Sequence, residues 1–366
     1  MSAGREQWID SARGISIVLV VAGHNPGLWG EYPELGGVLM SFRMPLFFAI
    51  VGTTMAGRAS LRATALRVAG LLISYVVLCL LSLPLAFRRA DHESLAQTLL
   101  GIAYGTGHTI VMVPLWFLPC LAMAMLLVQA IDTATERIAP RLSVYTEALS
   151  AAGACSVGLA VLAVQGPLEI APSLDWGNID QSGAPLNLDL AWFGAGFVFI
   201  GRGLRSLIQG PREHERWLLP AAVGLTVLFA LLYLAVRPKM DMNLRVFLPA
   251  VPALLIATVG CAAALFVIFL LRHTLLCTLS AKLGTMTLVI LWLHAGIEKR
   301  AWEAFAMHMP APLAVFGSIA VGVLVPYGID RLLLWTPWLR MFIYPQPLLA
   351  RLKLKKDMQV QQQPAT

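Results

Sequence analysis

Ten long apolar runs recur along the 366-residue chain, at 14–31, 35–56, 66–87, 112–131, 144–165, 188–208, 217–236, 246–271, 284–300 and 311–334. Each is long enough to cross a ~30 Å hydrocarbon layer as a helix or nearly so. A weaker stretch at 95–111 contains Gly101, Gly105 and Gly107; it reads as a re-entrant or interfacial piece, or as an eleventh span. The pattern predicts an all-α integral membrane protein, a polytopic bundle of about ten transmembrane helices. A single transmembrane domain is expected over 1–340, followed by a basic and then polar tail over 341–366. No internal repeat has a clear period.

Composition agrees with the pattern. The chain is 58% hydrophobic and 13% charged, against about 25% charged residues in soluble domains. The first ten residues are largely polar, and no small-residue cleavage site precedes a soluble body, so no cleavable signal is expected. Cys79, Cys120, Cys155, Cys261 and Cys277 lie in or at the ends of apolar runs without ligand-like spacing. They read as packing residues, and no metal site is expected.

The net charge of +7 raises nucleic acid as a partner, but the distribution of the cations argues for a membrane instead. Ten spans put both termini on one side. With the amino terminus in the cytoplasm, nineteen of the 27 basic residues face inward and seven outward, and Arg43 lies inside a span. This bias supports cytoplasmic termini. The cluster from Arg351 to Lys356 is expected to meet anionic lipid headgroups, at about 1 kcal/mol per charge. The loop 166–187, with Glu169, Asp175 and Asp180 and no basic residue, is expected to face outward, either as part of an acceptor mouth or simply as a solvated loop.

The chemistry concentrates in the first two runs. Arg13 and His24 are eleven residues apart. In a helix that spacing returns to within about 20° of the same face, with a rise of about 16 Å. A cation at one surface and an imidazole at depth then share one stripe, and intramembrane ionisable groups mark functional sites. Asp10, three residues before Arg13, is placed to pair with it. In the second run, Arg43 stands two residues before Pro45, within Phe42-Arg43-Met44-Pro45-Leu46-Phe47-Phe48. A buried Arg43 must find an acceptor or an anionic ligand, unless the helix is merely a kinked packing element with a snorkelling Arg.

These segments resemble the membrane-bound acyltransferase 3 family. The resemblance rests on Asp10, Arg13-Gly14 and His24, then on Phe42 to Phe48 and Gly52. It continues through Leu115-Trp116-Phe117-Leu118, Trp192-Phe193 with Gly201-Arg202-Gly203, and Leu283-Gly284 to Thr287, Leu291 and His294. It covers about residues 5–335. Arg43 stands where the family often has His, Val51 replaces the Ser before Gly52, and Leu291 replaces a late Tyr. In the third run Arg67 is present, Gly70 takes the position of a second Arg, and Ser74-Tyr75 replaces Pro-Tyr; Arg62 or Arg43 is the expected compensating cation. The resemblance implies a stand-alone sugar O-acetyltransferase without a hydrolase-like domain.

It further implies acetyl-CoA as acyl donor substrate, with no permanently bound cofactor, and a polysaccharide or lipid-linked oligosaccharide acceptor. Catalytic roles fall to His24, as general base or acyl relay, with Arg13 and Asp10. Arg13, Arg43, Arg62 and Arg67 are the expected donor-binding cations. Arg43, Trp116, Trp192 and His294 are the expected acceptor-side residues, although an interfacial aromatic belt is the better account of the two tryptophans. Only six of the basic residues are Lys. This points to GC-rich coding DNA, and the expectation is a bacterial inner-membrane enzyme acting on an exopolysaccharide or lipid-linked repeat unit. The competing class is a transporter or flippase for a glycan or lipid-linked sugar, which would suit the broken helix and buried Arg but not require His24. A third is a catalytically inactive sensor or assembly partner.

Overall fold

The computed structural model describes residues 6–55, 60–87, 94–138, 145–165, 183–210 and 215–345. Glu169, Asp175, Asp180, the basic tail, and Arg5, Arg58, Arg88, Arg89, Arg141 and Arg212 lie outside the described residues. The helices are α1 (Gln7–Ala22), α2 (Pro26–Glu31), α3 (Pro33–Thr54), α4 (Leu61–Leu81), α5 (Leu83–Ala86), α6 (Leu95–Tyr104), α7 (Phe117–Ile138), α8 (Thr146–Gln165), α9 (Leu188–Ile208), α10 (Glu215–Val236), α11 (Ala250–Leu270), α12 (Leu275–Gly284), α13 (Thr287–Ala306), α14 (Ala311–Leu332) and α15 (Pro337–Ile343). The chain is an all-α multi-pass membrane protein. Among the described residues seven helical segments are long and apolar enough to cross a membrane, or eight if the bent α12–α13 pair is one span.

Two of the expected runs are broken, for local reasons. The run 14–31 stops at Ala22 and restarts at Pro26. The residue before a proline is pushed out of the helical region. Asn25 accordingly takes ψ 120°, and its side chain caps α2 by accepting from Leu28 N at 3.0 Å. His24 therefore lies in a tight turn just past α1, not inside a continuous span. The run 284–300 is interrupted near its start by a break at Thr285–Met286, where α12 and α13 meet at 85°. The stretch 95–111 holds only the ten-residue α6, closed by a Ser94/Gln97 capping box and by Gly105 at φ +75°. Its rise of about 15 Å is too short to cross alone.

A small antiparallel hairpin, β1 (Lys239–Asp241) and β2 (Val246–Leu248), joins α10 to α11, with Met240 opposite Phe247. The expected run 246–271 takes in β2 before α11 begins. Sequence reading missed the hairpin because each strand has only three residues.

Small residues set the helix contacts that position the site. A Cβ on Gly14 would come within 1.8 Å of the Ser280 carbonyl oxygen, and one on Gly284 within 1.8 Å of the Asp10 carbonyl oxygen. Between them Ser11 and Ser280 share a 2.7 Å hydrogen bond. Helices α1 and α12 thus approach backbone to backbone, as small-residue interfaces allow inside membranes. Gly52 and Gly201 do the same for α3 and α9, each against a carbonyl of the other helix. A bidentate Arg202–Asp132 pair, 2.9 Å at both oxygens, ties α9 to α7.

Gly284→Ala is expected to lower the unfolding midpoint of the purified protein in detergent by several degrees, because the methyl group has no room, an overpacking cost of about 1–3 kcal/mol. Gly30→Ala, where no atom lies within 4 Å, is the neutral control. Equal midpoints for the two variants would contradict the tight α1–α12 contact.

Candidate active site

The turn after α1 brings His24 against His294 of α13. His294 Nε2 and His24 Nδ1 are 3.3 Å apart, and the rings meet edge-on with centroids at 5.0 Å. Backbone carbonyls determine the proton positions. His294 Nδ1 faces the carbonyls of Ile290 and Leu291 at 2.9 and 3.0 Å, and a carbonyl only accepts. Nδ1 of His294 must therefore carry hydrogen, which leaves Nε2 as an acceptor. His24 Nδ1 lies 2.8 Å from the Val20 carbonyl and donates towards it and His294 Nε2. The Nε2 lone pair of His24 is then free as a base or nucleophile. His24 is partly exposed and His294 fully buried, so the reactive nitrogen is on the more accessible ring.

Arg43 completes one side. It is 4% exposed, donates to the Val20 carbonyl at 3.3 Å, and contacts Met40 Sδ at 3.0 Å. Its guanidinium lies over Gly23: a Cβ there would be 1.7 Å from one terminal nitrogen. Glu298 adds a carboxylate from α13. It is one turn from His294 on α13 and fully buried, with Oε1 accepting from Asn25 Nδ2 at 2.8 Å. The same Asn25 amide donates to Ser318 Oγ on α14 at 2.8 Å, and Gly322 makes room for the Glu298 stem. Among the described residues Arg43 Nε and Glu298 Oε2 have no hydrogen-bond partner. One is a donor and the other is an acceptor, and unpaired buried groups of this kind cost about 1–3 kcal/mol each.

A cavity of about 650 Å³ lies between α1, α3, α4, α7 and α13, and neither histidine nor Arg43 is among its lining residues. Arg13, Arg67 and Arg340 line it, with Thr54 and Thr285. Its apolar walls include Ile17, Met44, Phe47, Phe117, Leu121 and Leu288. Val20 and Leu291 also line it; their carbonyls are the ones that contact His24 and His294. From Arg13 to Val20 the rise along α1 is about 10 Å. A second, almost wholly apolar groove of about 900 Å³ lies between α1, α3, α10, α11, α12 and α14, with Lys282 on its lining.

The sequence-predicted residues divide cleanly. Asp10 pairs with Arg13 at 3.1 Å, and Arg13 and Arg67 share the cavity. His24, His294 and Arg43 form the central cluster. Arg62 sits on the exposed first turn of α4 and lines neither cavity. Trp116 is buried edge-on against Phe117, a cavity residue, while Trp192 is a half-buried residue of α9; neither lines a cavity. Sequence reading missed Glu298, which stands at i+4 from His294 within an apolar helix, and Trp29. The Trp29 indole donates to the Gly23 carbonyl at 3.0 Å, beside His24, and its ring is 38% exposed. Arg340 was likewise not singled out, because it follows the last span.

Nitrogen-15 NMR of histidine-labelled protein in lipid tests the proton assignment. Protonated Nδ1 and bare Nε2 are expected for both His24 and His294; a protonated Nε2 with bare Nδ1 on His24 would contradict it.

Among the described residues no cluster of His, Cys, Asp and Glu is fit to hold a metal ion. A comparison with curated proteins found no match. A family model described as an acyltransferase domain matches residues 6–331, most of the chain and all of the central cluster. The chain belongs to the acyltransferase 3 family, and its histidine pair lies within the matched acyltransferase domain.

Proposed function

We propose that this acyltransferase moves an acetyl group from cytoplasmic acetyl-CoA to a sugar hydroxyl of a cell-surface or exopolysaccharide glycan, in a bacterial inner membrane. The observation that carries the reading is the cavity lined by Arg13, Arg67 and Arg340 together with Val20 and Leu291, the residues whose carbonyls contact His24 and His294. Phosphates of the donor pair with the arginines. The pantetheine arm follows the apolar wall, and the thioester reaches the histidines. With the amino terminus in the cytoplasm, as the distribution of basic residues favours, the Arg13 end faces inside, where the donor is made.

In the reaction, Nε2 of His24 takes the proton of the acceptor hydroxyl as its oxygen attacks the thioester carbonyl. The carbonyl becomes an oxyanion, for which Arg43 supplies donors. The C–S bond then breaks, and the CoA thiolate takes the proton from His24. The products are the O-acetyl ester and CoA. Acyl relay is the variant in which Nε2 itself attacks the thioester and then passes the acetyl group to the hydroxyl. Asp10 orients Arg13, and His294 holds the His24 tautomer. Trp29, beside the His24 turn, offers a stacking face for a sugar. The apolar groove on the other side of α1 and α3 supports a lipid-linked acceptor.

Mass analysis of surface glycans from cells carrying the wild type, a deletion and His24→Ala tests the reading. Acetylation is expected to vanish in the deletion and to fall at least a hundredfold in His24→Ala. Normal acetylation in a well-expressed His24→Ala strain would exclude catalysis by His24. Unchanged acetylation in the deletion, with altered export, would favour a transporter. Gly23→Ala is a finer probe. The three atoms nearest the added methyl all belong to the Arg43 side chain. Transfer is expected to fall about tenfold with the unfolding midpoint unchanged; wild-type transfer would contradict the role of Arg43.

A further inference from the structure

Helix α15 follows the matched domain, yet it reaches into the donor cavity. It packs on α4, where Ser74 Oγ donates to the Ile343 carbonyl at 2.7 Å and approaches the Gly70 carbonyl at 2.9 Å. Two of its neighbouring side chains line the cavity, Arg340 and Tyr344. Asp330, fully buried on α14, positions both: its carboxylate accepts from the Tyr344 hydroxyl at 2.9 Å and lies 3.5 Å from Arg340 Nη1. The Arg340 guanidinium also stands over the Tyr344 ring, 5.2 Å from its centroid. Despite this support, Arg340 Nη1 has no hydrogen-bond partner among the described residues.

We propose that Arg340 binds a phosphate of the nucleotide part of the donor, so that α15 forms one wall of the donor site. The inference rests on the donor reading above. Arg13 and Arg67 line the same cavity from α1 and α4, so three cations on three helices line one cavity, a set suited to a polyphosphorylated ligand. Asp10 and Asp330 hold two of these arginines in place and leave a net positive mouth. A planar guanidinium on a supported stem suits bidentate contact with phosphate.

The test uses the full-length protein in lipid nanodiscs, with coenzyme A and pantetheine as probes. Pantetheine carries the thiol arm without the phosphates. Arg340→Gln is expected to weaken coenzyme A binding about tenfold and leave pantetheine binding unchanged. Arg340→Lys keeps the charge and is expected to lose less than threefold. If Arg340→Gln lowers the unfolding midpoint, the ratio of the two affinities decides, since general loosening weakens both probes alike. A ratio unchanged in Arg340→Gln but reduced in Arg13→Gln would overturn the role of Arg340 and leave the donor reading standing. A wild-type protein that prefers pantetheine to coenzyme A would overturn both.

Discussion

The backbone-to-backbone contact of α1 with α12 is the constraint on which the site depends. Gly14 and Gly284 leave no space for a methyl group, so α12 cannot slide or rotate on α1. Helix α12 ends at Gly284, and α13 leaves at 85°. That angle carries His294 to the far end of α1, where the chain has just turned at Gly23. A histidine pair separated by 270 residues is thus set by two glycines and one bend. The membrane favours this solution, because helices there associate through close packing of small residues and not through hydrophobic burial.

The pair sits among charges that packing alone would not select. An arginine at the centre of a bilayer costs about 2.5–3.5 kcal/mol on insertion scales. Two buried arginines show how differently the fold treats such a charge. Both terminal nitrogens of Arg202 are matched to the carboxylate of Asp132, as a structural ion pair should be. Arg43 instead donates to a carbonyl and contacts a sulfur, and Glu298 of the same cluster keeps an unpaired oxygen. The underpaired cluster is suited to an oxyanion or a hydroxyl that appears during acyl transfer.

Much of this was legible in the sequence. The run 188–208 coincides with α9, and Arg13 lines the cavity while His24 lies in the turn past the end of α1. What escaped were features that apolar patterning cannot see. Asn25-Pro26 breaks a run whose hydrophobicity continues, because turn chemistry overrides composition there. The meeting of His24 with His294 depends on a bend angle, which periodicity does not encode. Glu298 carried a signal, a carboxylate one turn from a histidine inside an apolar helix, whereas Trp116 and Trp192 were chosen for their residue type and lie away from both cavities. The ten-residue α6 looked like a possible span because its apolar run continues past Gly105, where the backbone turns left-handed.

The central claim is that the cationic end of the cavity takes its donor from the cytoplasm and delivers the acetyl group to His24. Labelled acetyl-CoA supplied to sealed vesicles of either orientation tests it most directly. Inside-out vesicles, which expose the cytoplasmic face, are expected to transfer label to membrane-bound glycan, and right-side-out vesicles are not. Transfer from the outer face alone, or none from inside-out vesicles holding folded protein and acceptor, would contradict the account.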